Sequence, residues 1–349
     1  MSAGNFFEDF RIGQELVHAT PRTVTTGDVA LYTALFGSRF AVQSADTFAA
    51  ACGLPRSPVD DWLTFHVVFG KTVPDVSLNA VANLGYAEGR FLGSVYPGDT
   101  LATTSTVIGL RENANKESGV VYVRSTGRNQ RGETVLDYCR WVMVRKRDKT
   151  SPAPEANVPK LAPAVAAKDL IVPKGFRADG FDRRLSGATA LWDDYAKGQK
   201  IDHRDGVTIE EAEHMMATRL YQNTARVHFD AHEQAKSRFG KRLVYGGHVI
   251  SLARAISFNG LANACFVAAI NGGRHVAPTF GGDTVYAWSE ILDKAEIGGR
   301  ADIGALRVRT VATKNRGCGD FPDKTGDTPH EAVVLDLDTW LLIPRKAAP

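Results

Sequence analysis

Cysteine is sparse, with four in 349 residues. Cys52, Cys139, Cys265 and Cys318 form no C-x-x-C pair and have no histidine at zinc-ligand spacing, so neither a disulfide framework nor a metal site is expected to organise the chain. Long apolar runs are lacking too. Nothing approaches the roughly 18 apolar residues of a membrane span, and the opening MSAGNFFEDFR has no basic segment leading into an apolar one. The expectation is a cytoplasmic protein with no membrane partner. Neither G-x-G-x-x-G after a strand nor a P-loop occurs, so no redox or nucleotide cofactor is implied. Positive charge is modest as well. A net charge of +3 and a pI near 8.6, without a basic stripe interleaved with aromatics, point away from nucleic acid and suit an anionic small molecule.

Hydrophobic residues make up 44% and charged residues 23% of the chain, the balance of a soluble globular protein long enough for two domains. The sequence repeats itself. Residues 8–18, EDFRIGQELVH, align with 193–203, DDYAKGQKIDH, at an offset of 185 without a gap. The same offset carries Thr23 onto Thr208, Leu35 onto Leu220 and Phe36 onto Tyr221, while Gly89-Arg90 matches Gly273-Arg274 and Gly98-Asp99-Thr100 matches Gly282-Asp283-Thr284 at 184. One unit of roughly 150 residues has been doubled. Between the copies, residues 150–168 are rich in proline and alanine and read as an extended linker. The expected division is 1–149, a linker over 150–180, and 181–349.

Within each unit the signals run in one order. A helix with acidic residues in its first turns is predicted over 25–36 and 209–221, an alanine-rich helix over 46–52 and 231–239, and a further apolar stretch over 62–69 and 249–256. Alternating strand patterns follow at 100–110, 120–126 and 134–144, then at 284–292, 305–312 and 331–343, separated by glycine-containing turns. Helices first and an antiparallel meander afterwards is an α+β order, fitted by a sheet wrapped around one central helix.

Polar, chemically able side chains concentrate in 220–250, LYQNTARVHFDAHEQAKSRFGKRLVYGGHVI. Asn223, Arg226, His228, Asp230 and His232 fall within ten residues, and the first copy lacks this set. The other reading is a loop entering a helix, with Asp230 as its N-cap. His18 and His203 recur in both copies, and that recurrence argues for packing.

These features, the doubled helix–loop–helix, the G-D-T turn and the antiparallel sheet, resemble the double hot-dog fold of the MaoC-like, R-specific enoyl-CoA hydratases. That family's motif, approximately Gly-Asp-x-Asn-Pro-Leu-His, falls on residues 222–228, QNTARVH. The departures matter: the family's aspartate is Asn223 here, and its asparagine and proline are Ala225 and Arg226. In the first copy Ser38 and Gln43 stand at the aspartate and histidine positions, so that copy is expected to be catalytically silent. The patterns LFGSRFAVQSAD and YQNTARVHFD with RLVYGGHVISLARA are similar, more closely, to the mesaconyl-CoA hydratases, also called β-methylmalyl-CoA dehydratases.

The resemblance implies addition of water to an α,β-unsaturated acyl-CoA, coenzyme A being part of the substrate and no cofactor being needed. It also implies a homo-oligomer. His228 is then the candidate for proton transfer, its alternative being a structural histidine. Asn223, which cannot take a proton, is the candidate for holding the water, and Asp230 either orients the imidazole or caps a helix. Gly246 and Gly247 either supply backbone donors to the developing oxyanion or make a plain turn. Tyr221 and His248 flank this motif as substrate-binding candidates. Arg226 either reads the free carboxylate of the acyl group or faces coenzyme A. Lys241, Arg242, Arg274 and Arg90 are loose candidates for the coenzyme A phosphates. Two rivals are a hot-dog thioesterase and an acyl-CoA-binding module without turnover.

Overall fold

The computed structural model describes residues 4–346. Its repeated turns are built the same way twice. Asp9 accepts the Phe6 amide at 2.9 Å and Asp194 accepts the Leu191 amide at 3.0 Å. In the G-D-T turns, Asp99 accepts the Tyr96 amide and Asp283 the Phe280 amide, each at 2.9 Å. His18 bonds Ser105 at 2.7 Å and His203 bonds Ser289 at 2.8 Å, all four buried. The G-D-T signature is therefore a turn, and both histidines are packing residues.

In chain order the strands are β1 (Glu15–Val17), β2 (Arg22–Thr23), β3 (Ala80–Phe91), β4 (Thr100–Glu112), β5 (Ser118–Arg128) and β6 (Thr134–Arg145) in the first half. The second half has β7 (Lys200–Asp202), β8 (Val207–Thr208), β9 (Phe266–His275), β10 (Thr284–Ile297), β11 (Arg300–Lys314), the short β12 (Lys324–Thr325) and β13 (Thr328–Pro329), and β14 (Val333–Pro344). Apart from the β12–β13 hairpin, they form one twelve-stranded antiparallel sheet, β1-β4-β5-β6-β3-β9-β14-β11-β10-β7, with β2 on β4 and β8 on β10. The halves join where β3 meets β9, Tyr86 opposite Gly273 and Arg90 opposite Ala269.

Each half wraps its sheet around one helix, Asp61–Thr72 or Gly246–Ile256. This is the α+β double hot-dog arrangement. The two helices touch at repeat-related positions, His66 Nε2 lying 3.0 Å from Ser251 Oγ, and their apolar side chains share one continuous core. Thr25 and Asp28 form a reciprocal capping box that starts the Thr26–Phe36 helix, and Gly37, left-handed at φ 63°, ends it.

Three local expectations change. The helix over 231–239 is only Ala231–Gln234. Strands β3 and β9 join the halves, although they lack a clean alternating pattern in the sequence. The segment over 150–180 is also more than a tether: Val165, Leu170 and Phe176 pack on Phe266, Ala268 and Trp340 of the second half, so its apolar residues belong to a core.

Candidate active site

Asn223 and His228 sit in the turn that leaves the Glu211–Leu220 helix. That turn lies directly on the central helix of the other half. A Cβ on Gly70 would fall 2.0 Å from the Tyr221 carbonyl and 3.3 Å from the Asn223 amide, so only glycine permits this approach. Lys71 bonds Gln222, and Arg22 bonds the Leu220 carbonyl. Gln222 is held at a positive φ of 52°. The polar motif of the second half is thus seated by the first.

His228 is buried, and its Nδ1 lies 2.9 Å from the Leu243 carbonyl. A carbonyl only accepts, so Nδ1 carries the proton and Nε2 is the basic nitrogen. Nε2 has no protein partner among the described residues, and it is not among the sealed, unpartnered buried atoms. Burial pushes the imidazole pKa down to about 4, which keeps the ring neutral at physiological pH. Asn223, also buried, accepts the Ala225 amide at 3.0 Å through Oδ1; its Nδ2 donors remain for something else.

Both residues border a cavity of about 650 Å³. The wall opposite this motif comes from the first half, with Phe69, Val73, Asn83 and Tyr86 among its residues. The cavity is therefore shared by both halves. Tyr245 and Gly246 border it as well, at the start of the Gly246–Ile256 helix, whereas Gly247, buried one residue further on, does not. The glycines are the first helical residues, where amides have no intrahelical acceptor, and Tyr245 offers no side-chain cap. Close packing also requires them: a Cβ on Gly246 would fall 2.4 Å from the His275 ring, and one on Gly247 2.3 Å from Tyr245 and 2.5 Å from His66.

The repeat gives an internal control. Asp60 stands where Tyr245 stands in the second half, and its carboxylate accepts the Trp62 amide at 2.9 Å. A carboxylate thus occupies the helix N-terminus in the first half, whereas the second half leaves its donors open. A second cavity of about 470 Å³ occupies the repeat-related place, bordered by Asp61, Phe91 and Phe266 and by linker residues 171–174. No imidazole borders it, and Gln43, at the position of His228, donates to the Cys265 carbonyl at 2.7 Å.

Other candidates stand elsewhere. Asp230 caps Ala231–Gln234 by accepting the Glu233 amide at 3.0 Å and does not border the cavity; its short side chain is spent on the cap. Tyr221 is a fully buried core ring, 4.6 Å from His66 between centroids. His248 is buried against Phe36 at 4.8 Å. Both lie off the cavity lining, Tyr221 at the C-cap of the Glu211–Leu220 helix and His248 on the inward face of the Gly246–Ile256 helix, each packed into the core. Arg242 pairs with Glu211, Arg274 with Asp336 at 3.5 Å, Arg90 with Asp137 at 3.6 Å, and Lys241 lies 4.4 Å over Phe280. None of these four borders the cavity. Arg226 does, exposed on the rim, together with exposed Arg145 and Arg238; none of the three forms an ion pair among the described residues. Arg140, Tyr86, Asn83 and His275 also border it. Their only trace in the sequence is polarity inside strands, as with Arg140 in LDYCRWVMV.

No group of metal-ligating side chains occurs among the described residues, and no helix there is long and apolar enough to cross a membrane. Residues 1–320 match the family model described as mesaconyl-CoA hydratase. The chain is 64% identical to a β-methylmalyl-CoA dehydratase of Chloroflexus aurantiacus, over 98% of each chain. It is 59% identical to a mesaconyl-CoA hydratase of Cereibacter sphaeroides, over 99% of each. A crystal structure from Chloroflexus aurantiacus, described as a putative MaoC domain protein dehydratase, superposes with a TM-score of 0.98 at 64% identity over 99% of each chain. A Mycobacterium tuberculosis protein described as having a double hot-dog fold superposes at 0.75 with 25% identity over 98% of each. With near-complete coverage in sequence and in structure, and with a doubled unit whose motif survives only in its second half, this chain belongs to the mesaconyl-CoA hydratase family.

Proposed function

We propose that the protein is a hydro-lyase that reversibly adds water to an α,β-unsaturated acyl-CoA thioester, mesaconyl-CoA being converted to β-methylmalyl-CoA, in the second half's site with the first half as its wall. The observation that carries this reading is the neutral imidazole of His228, tied at Nδ1 and without a protein partner at Nε2, in a cavity shared by both halves whose other imidazole, His275, is engaged at Nε2 by Tyr86. Nε2 of His228 takes a proton from water as the water oxygen bonds to Cβ. The displaced π electrons move onto the thioester oxygen, and the imidazolium returns its proton to Cα. Asn223 Nδ2 donates to the attacking oxygen, and the Gly246 amide, at the positive end of its helix, receives the enolate oxygen.

Arg145, Arg226 and Arg238 fit the phosphates of coenzyme A. Of the two roles expected for Arg226, its exposure favours this one, because a solvent-screened charge discriminates weakly between acyl groups. The same reading makes the protein a cytoplasmic, cofactor-free enzyme acting as a homo-oligomer. Loss of enoyl-thioester absorbance with mesaconyl-CoA, without release of free thiol, is the expected result. Thiol release would make it a thioesterase, and binding without turnover an acyl-CoA-binding module.

A further inference from the structure

Arg140 is the largest charged side chain that is fully buried. It lies on β6 in the first half, on the wall of the cavity. Its guanidinium donates to Thr72 Oγ1 at 2.7 Å, to Ser77 Oγ at 3.2 Å and to Asn83 Oδ1 at 3.5 Å, and lies 4.2 Å over the Phe69 ring. Every oxygen it reaches is neutral. Among the described residues it makes no ion pair, and its Nε has no partner at all. A buried cation without an anion is costly, and folds ordinarily pair it or leave it out.

The repeat shows that the scaffold does not require this arginine. Asp137 and Asp336 are equivalent, each bound by the equivalent arginine, Arg90 or Arg274. Arg140 is opposite Tyr86 in the β3–β6 register, and the related pair in the β9–β14 register is Ile270 opposite Thr339. Thr339 therefore takes the place of Arg140, and Val267 that of Asn83. The cation, its tyrosine and its asparagine are present only on the wall that faces the imidazole.

We propose that Arg140, with Ser77 and Asn83 as the cavity-facing groups it polarises, forms the subsite for the free carboxylate of a dicarboxylic enoyl thioester. The missing counter-ion is then supplied by the substrate. Ser77 Oγ accepts from the guanidinium and so turns its own hydrogen outward, and the Asn83 Nδ2 group, sealed and without a protein partner, becomes a second donor once its side chain turns toward the cavity that the residue borders. Arg140 is a positioning residue in this scheme: it sets the charge that these donors present. The inference rests on the proposed hydratase reading and names its substrate class.

The test compares mesaconyl-CoA with crotonyl-CoA, which lacks the carboxylate. Arg140→Met should lower kcat/KM for mesaconyl-CoA on the order of 100-fold, mainly through KM, and leave crotonyl-CoA within about threefold. Arg140→Lys should recover part of the loss. Arg226→Met, on the rim, should affect both thioesters alike. Equal losses on both substrates in Arg140→Met would reduce Arg140 to a structural role and overturn the proposal. The wild type gives an answer that needs no variant to fold: succinyl-CoA should inhibit at least tenfold more tightly than butyryl-CoA, and equal inhibition overturns the proposal. Wild-type protein that hydrates neither enoyl thioester would instead defeat the hydratase reading itself.

Discussion

Replacing His228 by glutamine keeps a polar side chain of similar reach and removes the basic ring nitrogen that the motif presents to the cavity. Burial lowers this imidazole from 6.5 to about 4. At about 1.4 kcal/mol per unit, that shift amounts to about 3 kcal/mol favouring the neutral ring. The base is the neutral form, so activity is present above the folded pKa and is lost as pH falls through it. Wild-type kcat/KM for mesaconyl-CoA should therefore stay flat from neutral pH down to about 5, then fall with an inflection near 4. His228→Gln should lose about 10²- to 10⁴-fold in kcat, the usual contribution of a positioned acid–base group, and its residual rate should lack that inflection. The assay follows enoyl-thioester absorbance in buffers of constant ionic strength, with circular dichroism to confirm the fold. An inflection at 6 to 7, or a variant within tenfold of wild type, would refute the assignment of His228 as a buried neutral base.

Asp230→Ala should cost about 0.5–1 kcal/mol in urea unfolding through the lost N-cap, with kcat nearly unchanged; a hundredfold fall in kcat would return Asp230 to the chemistry. Gly246→Ala puts a Cβ 2.4 Å from the His275 ring. That ring must move, which breaks the 3.1 Å contact between its Nε2 and Tyr86 Oη, and kcat should fall about tenfold or more as the amide donors shift. Acid should destabilise the fold. Burial lowers His203 to about 4 and His248 to about 3, below the unfolded imidazole, so the unfolded chain binds protons first. Their contribution is complete above about pH 6.5 and is lost progressively below it, about 2 kcal/mol for each ring by pH 5. Tm should drop between pH 7.5 and 5, and less steeply in His248→Gln; an identical drop in both proteins would contradict this account.

Much of the fold could be read from the chain because it is written twice. The glycines and aspartates of the shared turns keep their local hydrogen bonds in both copies, and local bonds are what a sequence pattern encodes. The polar motif was legible for the same reason, standing in one copy and missing from the other. Strands β3 and β9 were harder to see. They join the halves through the centre of the sheet, and residues covered on both faces do not alternate. Asp230 and His248 were drawn into the candidate site by proximity along the chain, yet a helix start claims one carboxylate and helix rotation turns the other ring into the core.

The sequence by itself determined the doubling, the α+β class and the imidazole at position 228, since each depends on residue type and spacing along a single stretch. Only the tertiary structure decided which residues share the cavity with it. Arg140 lies 88 residues before His228 in the chain and comes to the same cavity because β3 pairs with β9 and sets the two sheets edge to edge. It also decided that His228 is neutral and that the first half is a wall, because burial and the open end of a helix exist only after packing.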